Sequence, residues 1–129
     1  MTGERDLPRL LAGASPRLLP AEYVFVTVAA DRAGEIPARA RIEEDEGTTL
    51  VIQRADADAR GLSYEFVARW ITLDVQSALD AIGLTAAFGT ALAVAGISCN
   101  VLAGYHHDHL LVPAEDAHTA VEVLEQLSP

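Results

Sequence analysis

The sequence predicts an α+β fold: two ferredoxin-like βαββαβ units, the first rearranged, packed as one compact body. Two observations carry this expectation. The second half of the chain reads β, α, β, β, α, and the first reads α, β, β, β, short α, β, an alternation with hairpins that is the pattern of split β-α-β units. A chain of 129 residues with 50% apolar positions is also long enough for one core, or for two small cores packed together, but not for two independent domains.

Taken in order, residues 6–14 place Leu7, Leu10, Leu11 and Ala14 at helical spacing and stop at Ser15-Pro16, where proline disfavours continuation. Residues 22–30, EYVFVTVAA, are rich in β-branched and aromatic side chains and nearly continuously apolar, as in a strand buried on both faces. A polar turn with Gly34 and Pro37 follows. Residues 38–44 and 48–53 form a hairpin around Glu44-Asp45-Glu46-Gly47, and 55–61 form a brief helical or turn segment ended by glycine. The helix of residues 6–14 could supply the helix missing from the first half between Ala30 and Ala38.

Residues 64–75 read as a long strand bent near Arg69 that crosses into the second half, which places the halves at 1–63 and 64–129. A loop over 76–82 leads to a helix over 84–95, with Leu84, Phe88, Ala91, Leu92 and Ala95 on one face and Gly96 as its terminating glycine. Gly89 in mid-helix costs about 1 kcal/mol relative to alanine, so a close approach is expected there, by a packed sheet or equally by a ligand. Strands over 98–103 and 109–112 flank a turn. The final helix, 114–127, buries Ala117, Ala120, Val121, Leu124 and Leu127 and turns Glu122 and Glu125 to solvent.

A net charge of −10 argues against nucleic acid and anionic membranes, whose binding is built on lysine and arginine contacts. All nine basic residues are arginine, which excludes lysine Schiff-base chemistry and a Walker A loop. One cysteine, Cys99, and an N-terminus without the pattern of a signal peptide point to the cytoplasm. Residues 81–107 carry no Asp, Glu or Arg, but four glycines and the Gly96-Ile97-Ser98 break make them a buried helix and strand rather than a membrane span.

The chemistry that can be read lies between Gly83 and His109. Gly83-Leu84-Thr85-Ala86 opens a helix with free backbone N–H groups, a geometry suited to a carboxylate and equally to an ordinary helix start. Ser98 and Asn100 share one strand face, Cys99 and Val101 the other, and Cys99 reads as a small buried apolar residue. In Tyr105-His106-His107-Asp108-His109, His107 and His109 would share one side of a strand. Two ligands fall short of the three or four a metal site needs, so neither metal nor cofactor is expected. No nucleophile elbow or paired-carboxylate motif is present. Asp108 instead offers a negative charge for an ammonium beside helix-start donors for a carboxylate, the combination that binds an amino acid.

The run GLTAAFGTALAVAGISCNVLAGYHHDHLLVPAEDAHTAVEVL, with its GLTAA, AGIS-x-N and HDH-x-x-V elements, resembles the ACT domain. It is similar to the small bacterial proteins that pair two ACT-like halves, related to the ACT pair of aspartate kinases and to the cytosolic arginine sensors of animals. EYVFVTV falls in the first half of such a pair, and WITLDVQSALDAIGLTAA opens the second. The resemblance implies ligand binding between units or subunits without catalysis, and a regulatory output that passes through a protein partner. By position it assigns Ile82, Gly83, Leu84, Thr85 and Ala86 to the ligand-contacting loop, Asn100 to the polar position of the following strand and Asp108 to the acidic position, with His107 beside it. Asp80-Ala81-Ile82-Gly83 keeps the ends of the family's Asp-x-x-Gly turn.

The expectation is therefore a non-catalytic sensor, a homo-oligomer, that binds an amino acid at a domain or subunit seam. The competing expectation is a structural oligomerisation module that binds no ligand. A metal-dependent enzyme using His106, His107, Asp108 and His109 ranks third.

Overall fold

The computed structural model describes residues 5–74, 80 and 82–127. Two units emerge, Pro20–Ala68 and the combination of Met1–Leu19 with Arg69–Pro129. In the Pro20–Ala68 unit, β1 (Pro16–Val28) is followed by a one-turn α2 (Ala30–Ala33), the β2 (Ala40–Glu44) and β3 (Gly47–Gln53) hairpin, α3 (Arg54–Ala59) and β4 (Val67–Leu73). β2 and β3 meet at Glu44 and Gly47, and β1 runs antiparallel to β3 from Tyr23 opposite Gln53 to Val28 opposite Thr48. The strand order is β2-β3-β1-β4.

The other unit carries α1 (Leu7–Gly13), α4 (Leu84–Val94), β5 (Asn100–Ala103), β6 (Asp108–Pro113), a short 3-10 turn and α5 (Ala117–Glu125). Its order is β1-β4-β6-β5. Numbered within each unit, both orders are second-third-first-fourth or its reverse, the ferredoxin-like arrangement. The rearrangement takes the form of shared strands: β1 and β4 each run through both units, and the fourth strand of the C-terminal unit is the opening of β1.

Alternation along the strands builds two cores. Val24, Val26 and Val28 meet Leu50, Ile52, Ala33, Ile36 and Ala57 in the first. Ile71, Leu73, Leu110 and Val112 meet Leu84, Phe88, Leu92, Ala120 and Leu124 in the second. On the opposite face of β1, Tyr23 is buried and Phe25 half-buried against Phe66, while Thr27 is exposed, so double burial is partial.

Several expectations shift. β1 begins at Pro16, six residues earlier than its composition indicates, because Pro16 reads as a breaker although a strand accepts proline at its start. The helix of residues 6–14 does not serve the first half. α1 packs on α4, with Leu7 and Ala14 in the second core, and the gap after Ala30 holds α2 instead. Asp6 caps α1, accepting from the Arg9 amide at 3.2 Å, whereas the Leu10 and Leu11 side chains lie outside the described residues. The strand expected to Val75 ends at Leu73, and Val75 with most of the 76–82 loop lies outside the described residues.

α4 ends at Val94, which leaves Ala95 exposed in the turn rather than on the buried face. The end is a Schellman motif: the Gly96 amide donates to Ala93 and the Ile97 amide to Leu92, and Ile97 folds back into the core. Gly89 does not pack closely; a Cβ there would meet nothing within 4 Å.

Candidate functional site

The end of the C-terminal unit at which α4 begins gathers most of the residues singled out above. β5 and β6 pair antiparallel with Ala103 opposite Asp108 and Asn100 opposite Leu111. Thr72, next to last in β4, lies 3.0 Å from His109, the second residue of β6, so the start of β6 stands beside the end of β4, from which the chain passes to α4. Leu110 and Val112 face the helices, and by the two-residue period Asp108 shares that face. The start of α4 and the Asp108 position thus occupy one end and one face of the sheet.

Gly83 is the N-cap of α4 with φ +94°, a left-handed conformation suited to glycine, and no side-chain hydrogen bond caps the helix among the described residues. The first-turn amides of Leu84, Thr85 and Ala86 are therefore helix-start donors to which no described side chain is hydrogen-bonded. Leu84 itself is a core residue, 3% exposed, so only its backbone is placed to meet a ligand. Thr85 and Ala86 are exposed, and Ile82 is 86% exposed. Leu7 packs on Gly83, and Arg5 pairs with Asp80 at 2.9 Å, so α1 and the residues before it flank this entrance.

His107 and Asp108 are both half-buried. His107 belongs to the turn, not to β6, and its carbonyl accepts the Gly104 amide at 2.9 Å. It therefore does not share a strand face with His109. Among the described residues, no group of three or more His, Cys, Asp or Glu is placed to hold a metal ion. Asn100 lies at the far end of β5 and, opposite Leu111, on the face away from α4 and α5. Asn100 and Asp108 thus point to opposite faces.

Cys99 packs half-buried on the second core, and burial pushes its thiol up from the usual range. Its low reactivity at neutral pH follows.

Two features were hidden from the sequence. On the sheet face away from the helices, Trp70 Nε1 donates to Thr72 Oγ1 at 3.0 Å and lies 3.3 Å from His109 Nδ1. In the Pro20–Ala68 unit, Arg54 donates to Tyr64 Oη at 3.0 Å and to Glu22 at 3.2 Å, and Tyr64 donates to Asp58 at 2.7 Å. These partners hold the Arg54 guanidinium still more firmly in its charged form. The network borders an open cleft of about 430 Å³, and a second of about 270 Å³ lies between Tyr23, Arg39, Gln53 and Asp56. The clustering of arginine and aspartate over 54–58 was the available signal.

Two family models described as ACT domain match the chain in tandem, over residues 2–69 and 65–126. A protein of unknown function from Vibrio cholerae, described as a possible transport protein, is 42% identical over 95% of this chain and 96% of its own, with a TM-score of 0.86. A protein from Agrobacterium tumefaciens is 21% identical over 88% of this chain and 87% of its own, with a TM-score of 0.65. The regulatory subunit of aspartate kinase from Thermus flavus shares the fold at 12% identity, covering 92% of this chain and 99% of its own at a TM-score of 0.67. No curated protein matches. No helix among the described residues is long and apolar enough to cross a membrane.

Proposed function

This chain belongs to the ACT domain family, and from that premise we propose that it is a sensor that binds an amino acid at the α4 end of its C-terminal unit, at a seam completed by a second subunit. ACT domains are regulatory rather than catalytic, and tandem matches over nearly the whole chain support a regulatory, ligand-binding role. The observation that carries the reading is the placement, at one end and on one face of the sheet, of Asp108 and of the α4 start, which no described side chain caps. Backbone donors at Leu84, Thr85 and Ala86 suit an α-carboxylate, and the Asp108 carboxylate suits an ammonium or another cationic group. His107 and Ile82 border the same end. Asn100, on the other face, is assigned no contact with the ligand. Occupancy would be read out through self-association or a regulated protein partner.

Thermal unfolding of the full chain against each standard amino acid at millimolar concentration tests this. A ligand at a hundredfold its Kd adds about 2.7 kcal/mol, a readily measured rise in Tm. No rise with any of them would count against the reading.

A second reading, an oligomerisation module without ligand, draws on α4. That helix carries no charge, and Ile82 and Val94 beside and on it are 86% and 84% exposed. It predicts that Val94→Asp shifts the sedimentation coefficient towards the monomer while no amino acid alters Tm.

A further inference from the structure

The segment before β1 meets the proposed ligand site at two points. Arg5 Nε donates to Asp80 at 2.9 Å, with a second contact from Nη2 at 3.4 Å. Two residues on, the Leu7 methyls lie 3.2 and 3.9 Å from where a Cβ on Gly83 would stand. Asp6, between them, caps α1 by accepting from the Arg9 amide. The start of α1 is thus clipped to Asp80 and Gly83, immediately before α4.

The other end of α1 is anchored differently. Ala14 is 3% exposed in the second core. The Asp74 amide donates to the Ser15 carbonyl at 3.0 Å, and Arg17 Nε donates to Asp74 at 3.2 Å. Residues 14–17 are therefore tied down by a buried side chain, a backbone hydrogen bond and an ion pair. At residues 5–7 the charged pair has side chains 54% and 70% exposed, and Leu7 is half-buried. Exposed pairs contribute little and are screened by salt, and a half-buried leucine gains only part of what full burial gives. Held strongly at one end and weakly at the other, the segment opens most easily by release at residues 5–7, turning next to Ala14.

That opening reaches α4. Gly83 has φ +94°, and Leu7 fills the space a side chain there would take. The Ala87 amide donates to the Gly83 carbonyl at 2.9 Å, at the start of α4. With Leu7 withdrawn, glycine, the residue with the most conformational freedom to lose, must hold that conformation alone. The Leu84, Thr85 and Ala86 amides then lose their common aim.

We propose that residues 5–13 form a strap, hinged at Ala14 and clipped by Arg5 and Leu7, that positions the α4 start and opens without unfolding of the second core. Arg5 and Leu7 are positioning residues: closed, the strap holds the three amides in the geometry a carboxylate needs. A ligand on those amides binds the closed form, so occupancy keeps the strap shut, and a partner that draws the strap away weakens binding. This regulation rests on the sensor reading, whereas the opening itself is measured without a ligand.

Native-state hydrogen exchange of the full chain by NMR is the test, read at two amides. Ala87 reports the α4 start, and Ile97, which donates to the Leu92 carbonyl at 2.9 Å, reports the far end of the same helix. The strap predicts that exchange at Ala87 accelerates about tenfold in Leu7→Ala and about two- to fivefold in Asp80→Asn, while Ile97 changes less than about twofold. Equal acceleration at both amides, or none at Ala87, overturns the strap. Opening also exposes α1 to trypsin, and cleavage after Arg9 should fall about tenfold when a standard amino acid that raises the Tm is present at tenfold its Kd. Cleavage that does not fall overturns the link to occupancy. If no amino acid raises the Tm, the sensor reading falls with that link, and the exchange comparison decides the strap by itself.

Discussion

A side-chain methyl of Leu7 lies 3.2 Å from the point a Cβ on Gly83 would occupy, at a residue held with φ +94°. The helix packed on α4 and the backbone that starts α4 therefore constrain each other. Gly83→Ala should destabilise the fold by about 1–3 kcal/mol, the cost of a non-glycine residue in a left-handed conformation, with the Leu7 contact adding to it. Chemical denaturation would register this as a lower midpoint at unchanged slope.

Gly104 is constrained by contact rather than by backbone angle. Gly104→Ala would set a methyl 2.8 Å from the His107 carbonyl, so the turn must shift. A loss of about 1–3 kcal/mol is expected, as for overpacking elsewhere, with changed chemical shifts at His107 and His109.

Gly89 behaves oppositely. With nothing within 4 Å of its Cβ position, Gly89→Ala should stabilise an isolated chain by about 0.5–1 kcal/mol. If a second copy packs on that helix face, the same substitution will instead weaken self-association, which sedimentation velocity separates from the gain in Tm.

Phe88 and Leu92 anchor α4 in the second core, where both are fully buried. Phe88→Ala should cost about 3–5 kcal/mol and Leu92→Ala about 2–5 kcal/mol. Equilibrium unfolding in urea measures both.

Cys99 supplies a pH prediction. Burial raises its pKa, so the thiolate is scarcer at a given pH than for an exposed cysteine. Alkylation by iodoacetamide should be slow at pH 8 in the folded chain, speed up as pH rises, and become fast at pH 8 once urea unfolds it.

The helices and most strands were legible because their burial follows local periodicity. Leu84, Phe88 and Leu92 recur on one helical face, and Gly96 followed by Ile97 marks the end of α4. The start of β1 was not legible, since Pro16 masks a strand whose neighbours come from far along the chain. The place of α1 was equally hidden, because its partner α4 begins more than seventy residues later. At the candidate site, Gly83 and Asp108 could be picked out from residue chemistry. Whether Asn100 joins them depends on the β5–β6 register: pairing Ala103 with Asp108 puts positions 100 and 108 on opposite faces, and a turn one residue longer or shorter would reverse that. Trp70, Thr72 and His109 meet only through such long-range pairing.

The central claim is tested most directly by Asp108→Asn, which keeps the size of the side chain but removes its charge. Isothermal titration calorimetry with whichever standard amino acid raises the Tm of the unaltered chain is the measurement. The account predicts that Asp108→Asn folds with a similar Tm yet binds that amino acid at least about tenfold more weakly, the loss of one charge-assisted contact. Undiminished affinity in Asp108→Asn would contradict it.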